Sequence, residues 1–362
     1  MSRIKKDFDV VVISTLPLSS NTPTQGDDQH RWDEFVACCP QATFFHRAGW
    51  QRVITQSLGH TPFYLYAEQQ GEIVGILPLF EVKSRVFGHA LVSTPFCVYG
   101  GVATDNVAAR QALLEHAQTL AEQLQVDYLE LRHRSPQTEG WPSKSKHAAF
   151  RRQLDPEPEQ NMLAMKRKQR AVVRQGIKNQ HRAELDSVDN PQFDNFYRIY
   201  STSLRNLGTP AFSKQFFKAL ITEFGADCEI VSIYQGTEAR SSLMSFYFRD
   251  EVLPYYGGGM PESRELKSMD FMYWDQICRA LKRGISTYDF GRSKNDSGPY
   301  NYKRHWGFEP EPLCYEYHLV KAGSVPDISP NNPKYRYFIQ AWQKLPLRVS
   351  QIVGPYLSKY LG

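Results

Sequence analysis

Cysteine is scarce in this chain. Six occur among 362 residues, only Cys38 and Cys39 stand close together, and no CxxC or Cys/His grouping has zinc-ligand spacing. That pattern excludes a disulfide framework and a structural zinc site, and it leaves reduced, mostly buried thiols as the expectation. Long apolar runs are missing too. No stretch approaches the roughly 18 uninterrupted apolar residues that a membrane-spanning helix needs. The start of the chain sets Lys5, Lys6, Asp7 and Asp9 beside only a short apolar run, too short and too acidic for a secretory leader. The expected location is therefore the cytoplasm. There is no GxxxxGK[ST] phosphate loop, no GxGxxG after a strand, no HExxH and no GxSxG. The histidines are dispersed, and spacing suggests no partner for His46, His89, His133 or His305. No metal site is expected.

What is present begins with length: 362 residues suit two domains better than one core. The two halves also read alike. In the first, a helical pattern (Trp50–Leu58) precedes a strand (Phe63–Ala67), a turn at Gln70-Gly71 and a second strand (Ile73–Phe80). Tyr99-Gly100-Gly101, a helix (Ala108–Leu124) and a strand ending at Arg132 follow. In the second, the helix Lys214–Phe224 precedes the strand Glu229–Tyr234, a turn at Gln235-Gly236 and the strand Ser241–Arg249. Then come Tyr256-Gly257-Gly258, read as a turn, the helix Ser268–Lys282 and the strand Tyr288–Arg292. Each Gln-Gly pair supplies a residue tolerant of positive φ between two apolar runs, as a hairpin requires. Leu113, Leu114, Ala117, Leu120, Ala121 and Leu124 recur at helical spacing and form one apolar stripe. The order predicts an α/β (α+β) fold of two similar units, each a mixed sheet flanked by helices.

This organisation divides the chain into an N-terminal domain (1–154), a linker with a basic helix (155–186), a C-terminal domain (187–322) and a tail (323–362). Between the halves, Met165–Arg182 carries seven Lys or Arg residues and no acid, and Arg167, Arg170, Arg174 and Lys178 fall on one helical face. Such a face is either a solvated surface or a contact for phosphates, which makes Arg170 and Arg174 candidate donor-binding residues. The tail mixes Tyr337, Phe338, Trp342, Leu345, Leu347, Val349, Ile352 and Val353 with Lys334, Arg336, Lys344, Arg348 and Lys359, again without an acid. It either packs on the body or rests, as a basic amphipathic element, on the anionic inner face of a membrane. Pro346 and Pro355 are expected to break it into short pieces.

The most informative stretch is Tyr288–Pro310, YDFGRSKNDSGPYNYKRHWGFEP. Arg292 and Lys294 follow a strand end, Ser297-Gly298-Pro299 make a loop, and Tyr302-Lys303 come next. Basic groups beside a strand end and a glycine loop suit an anionic or developing oxyanion centre. This stretch resembles the signature of the Fem family (FemA, FemB and FemX), peptidyl- and aminoacyl-transferases built from two GNAT-like acyltransferase domains. Tyr302-Lys303 stands where that family has Phe-Lys. With MKRKQRAVVRQGIK (Met165–Lys178), DFGRSK (Asp289–Lys294), KRHWGFEP (Lys303–Pro310) and WQKLPLRV (Trp342–Val349), the likeness is closest to the FemAB-related proteins associated with exosortase/PEP-CTERM and exopolysaccharide gene sets.

The resemblance implies two tandem GNAT-like domains and transfer of an acyl or aminoacyl group to an amine of an envelope- or polysaccharide-related acceptor. The donor would be acyl-CoA, acyl carrier protein or aminoacyl-tRNA, a co-substrate rather than a resident cofactor. Lys303 would stabilise charge at the reacting carbonyl, Tyr302 would stack beside it, and Asp289 completes the catalytic set. Arg292, Ser293, Lys294, Tyr256 and Gly257 would bind donor or acceptor. No [RQ]xxGx[GA] pyrophosphate loop is expected in either half, which argues against a plain acetyl-CoA enzyme, and no coiled-coil heptad run like that of tRNA-using Fem proteins is present. Two other readings remain: a non-catalytic scaffold in polysaccharide assembly, and an RNA-binding module gripping phosphates through the basic helix.

Overall fold

The computed structural model describes residues 11–18, 27–187, 189–325 and 333–361, with the side chains of 333–336 excepted. Lys5, Lys6, Asp7 and Asp9, and the side chains of Lys334 and Arg336, lie outside the described residues.

The first half runs β1 (Val12–Leu16), α1 (Asp28–Cys38), α2 (Gly49–Leu58), β2 (Thr61–Gln69), β3 (Glu72–Ser84), β4 (Gly88–Ser93), α3 (Val107–Gln123), β5 (Tyr128–His133), β6 (Ser143–Lys144) and β7 (His147–Gln153). Next come α4 (Pro158–Ala164), α5 (Arg167–Lys178), β8 (Arg182–Leu185), α6 (Phe193–Leu207), α7 (Lys214–Phe224), β9 (Cys228–Gln235), β10 (Glu238–Phe248) and β11 (Glu251–Gly259). The remainder is α8 (Ser263–Leu266), α9 (Ser268–Lys282), β12 (Thr287–Lys294), α10 (Gly298–His305), β13 (Pro310–Pro312), β14 (Cys314–Leu319), α11 (Pro333–Gln343) and α12 (Leu347–Ser358).

Local chemistry accounts for most boundaries. Gln70 and Gly71 both take positive φ (56° and 82°), as a two-residue hairpin between β2 and β3 requires, and Gly236 (φ 61°) does the same between β9 and β10. Ser213 Oγ accepts the Phe216 N–H at the start of α7, and Asn106 Oδ1 accepts the Ala109 N–H at the start of α3. Gly59 and Gly208, in the left-handed region, end α2 and α6.

The two sheets share one strand order. The first reads β1-β2-β3-β4-β5-β14-β6 and the second β8-β9-β10-β11-β12-β7-β13. In each, a three-stranded antiparallel meander meets a parallel pair, β4 with β5 or β11 with β12. The sixth place is exchanged. β14, from the C-terminal half, pairs with β5, and β7, from the N-terminal half, pairs with β12. The compact units are accordingly discontinuous: Met1–Ser145 with Leu313–Asp327 and Lys359–Gly362, and Lys146–Pro312 with Ile328–Ser358. These differ from the expected 1–154 and 187–322, because strand pairing across the chain, not sequence proximity, assigns β7 and β14. The expected linker and tail are built in as well: α4, α5, β8, α11 and α12 all belong to the second unit.

In the first unit, Leu77, Leu91, Leu113, Leu129 and their neighbours close one core under α3, as the apolar stripe predicts. In the second, Phe150, Tyr288, Phe290, Trp306 and Phe308 belong to one core cluster. Each such ring withdrawn from water contributes on the order of 2–3 kcal/mol.

Three local expectations need correction. Tyr256-Gly257-Gly258 is part of β11 rather than a turn, because Met244, Leu243 and Ser242 of β10 pair opposite it. Residues 298–305, read as a loop and its continuation, form α10, capped by Ser297 Oγ on the Tyr300 N–H with Pro299 in the first turn. Pro346 does separate α11 from α12, but Pro355 stays inside α12. The cysteines are all free; Cys39 and Cys97 are buried, while Cys38 is exposed. No described helix is long and apolar enough to cross a membrane.

Candidate active site

The site is built on a bulge. β12 pairs with β7 through Asp289↔Arg151, then resumes at Arg292↔Ala149 after a register shift. Gly291 sits at φ 70°, a backbone conformation that glycine adopts without a Cβ penalty, and its N–H donates to Asp289 Oδ1 at 2.8 Å. The Gly291 and Arg292 carbonyls then accept from one ammonium: Lys303 Nζ, on α10, donates to them at 3.1 and 3.0 Å. The same Nζ lies 5.4 Å from the ring centroids of Phe150 and Phe290. Burial lowers the Lys303 pKa to about 7; Asp289, itself 1% exposed, opposes that shift, and Arg292 adds to it. A lysine so placed can give up and regain a proton near neutrality.

Tyr302 faces the other way along α10. Its hydroxyl donates to Asp270 Oδ1 at 3.0 Å, and Gln169 Nε2 of α5 donates to the same oxygen at 2.7 Å. Burial raises the Asp270 pKa, with Gln169 and Tyr302 pulling it back. The Tyr302 phenol is held well above its ordinary range by burial and by Asp270. One carboxylate thus ties α5, α9 and α10 together. The Lys166 N–H, at the start of α5, also donates to the His305 carbonyl at 2.9 Å, so the basic helix begins where α10 ends. Along α5, Arg167, Arg170, Arg174 and Lys178 line an open groove of about 480 Å³ with Leu163. Arg174 pairs at 2.9 Å with Glu159, both side chains largely in solvent, so that contact is weak.

Of the residues expected from sequence, Asp289, Arg292 and Lys303 meet at the β12 bulge, while Tyr302, expected to stack beside Lys303, reaches instead to Asp270. Ser293, 7% exposed and on β12, pairs with Ala148 of β7, and the Lys294 carbonyl accepts from the Ser297 hydroxyl that caps α10. Tyr256 and Gly257 sit elsewhere in the unit. Tyr256 is packed edge-on among Tyr200, Phe212, Phe216 and Phe217, and a Cβ on Gly257 would come within 2.8 Å of Leu243 Cδ1. Tyr256, 8% exposed, is thus set as a core residue, while Gly257 is half-buried. Asp270, Gln169 and Phe150 escaped the sequence reading, because a carboxylate, an amide and a ring on separate elements leave no spacing signal. Beyond the pairs Glu251↔Thr287 and Val252↔Tyr288, the β11–β12 ladder stops, although both strands continue. The bulge stands on this unladdered part of β12.

The first unit has its own concavity, about 280 Å³, at the end of β5 near Tyr99, Gly101, Arg132, His133 and Arg134. Arg132 donates to Glu130 and to the Cys97 carbonyl, both at 2.7 Å, which marks it as internal support. His133 has a partner after all. Its Nδ1 lies 2.6 Å from Glu316 Oε2 on the exchanged strand β14, and the Val102 N–H donates to its Nε2 at 3.0 Å. That network places the proton on Nδ1. Burial would raise the Glu316 pKa, but the bonds from His133 and Thr138 hold it below its ordinary value.

Residues 164–304 match the family model described as an acetyltransferase (GNAT) domain. No curated protein sequence matches the chain. Among solved structures, FemX is 14% identical, covers 81% of this chain and 96% of its own, and superposes with a TM-score of 0.63. The C-terminal domain of a putative lysylphosphatidylglycerol synthetase from Agrobacterium fabrum is 11% identical over 82% of this chain and 92% of that one, with a TM-score of 0.55. A tandem GNAT protein from the clavulanic acid biosynthesis pathway is 13% identical over 87% and 100%, with a TM-score of 0.50. At such identities the likeness is one of fold, and the fold is a tandem pair of GNAT-like domains. Contrary to the sequence expectation, one string, Arg85–Ala90, does meet the RxxGxA spacing of an acetyl-CoA loop, but it spans the β3–β4 hairpin rather than a strand-to-helix turn.

Proposed function

We propose that the chain is an acyltransferase of the Fem type that moves an acyl or aminoacyl group onto an amine, with the β12 bulge and α10 of the second unit as the transfer site. The observation that carries this reading is Lys303, an amine with pKa near 7, held by two carbonyls beside a buried aspartate. In such a transfer the acceptor nitrogen attacks the carbonyl of a thioester or ester. The C–N bond forms, the C–S or C–O bond breaks, and the proton lost by nitrogen leaves with the departing thiol or hydroxyl. Charge gathers on the carbonyl oxygen in between. Lys303 as ammonium would stabilise that charge, and its pKa lets it relay the proton. Tyr302 and Asp270 are positioning residues that set the pitch of α10.

The basic face of α5, starting beside α10, suits the phosphates of the donor, whether acyl-CoA, acyl carrier protein or aminoacyl-tRNA. The acceptor in this reading is an amine of an envelope- or exopolysaccharide-related molecule, which follows from the sequence resemblance alone. Thermal shift of the purified chain with CoA esters, acyl-loaded carrier protein, uncharged tRNA and charged tRNA tests the donor. Mass spectrometry of a model amine then tests transfer. A shift with one donor class and mass gained by the amine are expected. The same basic face favours one other reading, an RNA-binding module. Equal, steeply salt-dependent binding of charged and uncharged tRNA without acyl loss would decide for it, and no response to any donor would leave a scaffold.

A further inference from the structure

Helix α12 is amphipathic in the reverse of the usual sense. The face packed on its own unit is made of small or polar residues: Ser350 and Ser358 are 3% and 4% exposed, and Gly354 is also buried. A Cβ on Gly354 would come within 2.9 Å of the Ala211 carbonyl oxygen, and Gln351 Nε2 donates to Ser201 Oγ at 2.8 Å. The opposite face carries the large apolar groups. Val349, Ile352, Val353 and Tyr356, at helical spacing, are 39%, 67%, 39% and 70% exposed. A helix folded only for stability would place these four inward.

We infer that this face of α12 seats on an anionic lipid surface, which makes the protein peripherally membrane-bound. Charge selects the occupant. Arg348 borders the apolar stripe, Lys344 precedes the helix, both are exposed, and residues 333–362 hold five Lys or Arg and no Asp or Glu. A second copy of the chain, meeting this face about a two-fold axis, would set the same cations against each other. A surface of phosphatidylglycerol-like headgroups pairs with them, while the apolar side chains enter the headgroup–acyl boundary. Tyr337, 80% exposed on α11, and Tyr356 supply the amphipathic rings favoured at that depth.

The experiment is co-sedimentation of the full chain with vesicles of phosphatidylcholine alone and of phosphatidylcholine mixed with phosphatidylglycerol. At least tenfold stronger partitioning onto the anionic vesicles is expected, since each cation near the surface contributes about a fivefold factor. Ile352→Ser, Val353→Ser and Tyr356→Ser together should abolish partitioning while the fold is kept, as Ile352 and Tyr356 are mostly exposed and Val353 partly so. Arg348→Glu should weaken it at least tenfold. Equal partitioning onto both vesicles, or undiminished binding by the triple variant, overturns the inference. So does a dimer in sedimentation velocity that the triple variant dissociates, which would assign the face to a second copy.

Discussion

Replacing Lys303 by methionine tests the premise of the site, because it keeps the packed aliphatic stem and removes the titrating group. The ordinary lysine value of 10.5 holds in the unfolded chain, and the folded value is about 7. That gap corresponds to at most about 5 kcal/mol of cost for holding the ammonium in the folded protein. The sign follows from proton binding. Below about pH 7 both states carry the proton and the whole cost is present. As pH rises from about 7 towards 10.5, the folded chain sheds its proton first and the cost fades. Wild type should therefore gain on Lys303→Met by about 2 kcal/mol between about pH 7 and about pH 9. Urea unfolding of both proteins at stepped pH measures the difference, and titrations shared by the two cancel. A flat difference across that window would mean that Lys303 stays protonated like a surface lysine, and the proton-relay argument would fail with it. An alanine is a poorer probe, since it also empties the space between Phe150 and Phe290.

Tyr302→Phe removes one of two side-chain donors to the half-buried Asp270 carboxylate. A loss of about 1–2 kcal/mol in urea unfolding with an unchanged slope is expected, and a neutral result would detach Tyr302 from Asp270. Gly307→Ala drives a methyl into the Ala164 carbonyl at φ 82°, so it should cost about 2–4 kcal/mol, read as a fall in melting temperature. Glu316→Gln should cost about 2–3 kcal/mol at neutral pH, because an amide cannot accept all the donors that the carboxylate does. That gap should close as pH falls below about 4.5, where wild type loses the advantage of its depressed carboxylate; a gap that persists in acid would contradict the assignment.

The legible parts of this protein were local. Helices α7 and α9 have the limits that their periodicity predicts, and the two Gln-Gly hairpins stand where positive φ was needed. The basic face of α5 followed from residue spacing alone. The illegible parts depended on distant partners. Tyr256-Gly257-Gly258 was read as a turn, since glycine is depleted in strands, yet β10 provides the ladder that holds it in one. The partner of His133 lies 183 residues away on β14, a separation that no motif spans.

By itself, the sequence determined that the chain is an α/β protein of two like units with a cationic stretch midway along it, because hydrophobic period, turn residues and charge are properties of neighbours along the chain. Only the tertiary structure decided which strands the units exchange, that Lys303 sits half-buried beside two rings, and that α12 turns its apolar face outward. Strand pairing, desolvation and exposure depend on what arrives from elsewhere in the fold, and no window of sequence holds that information.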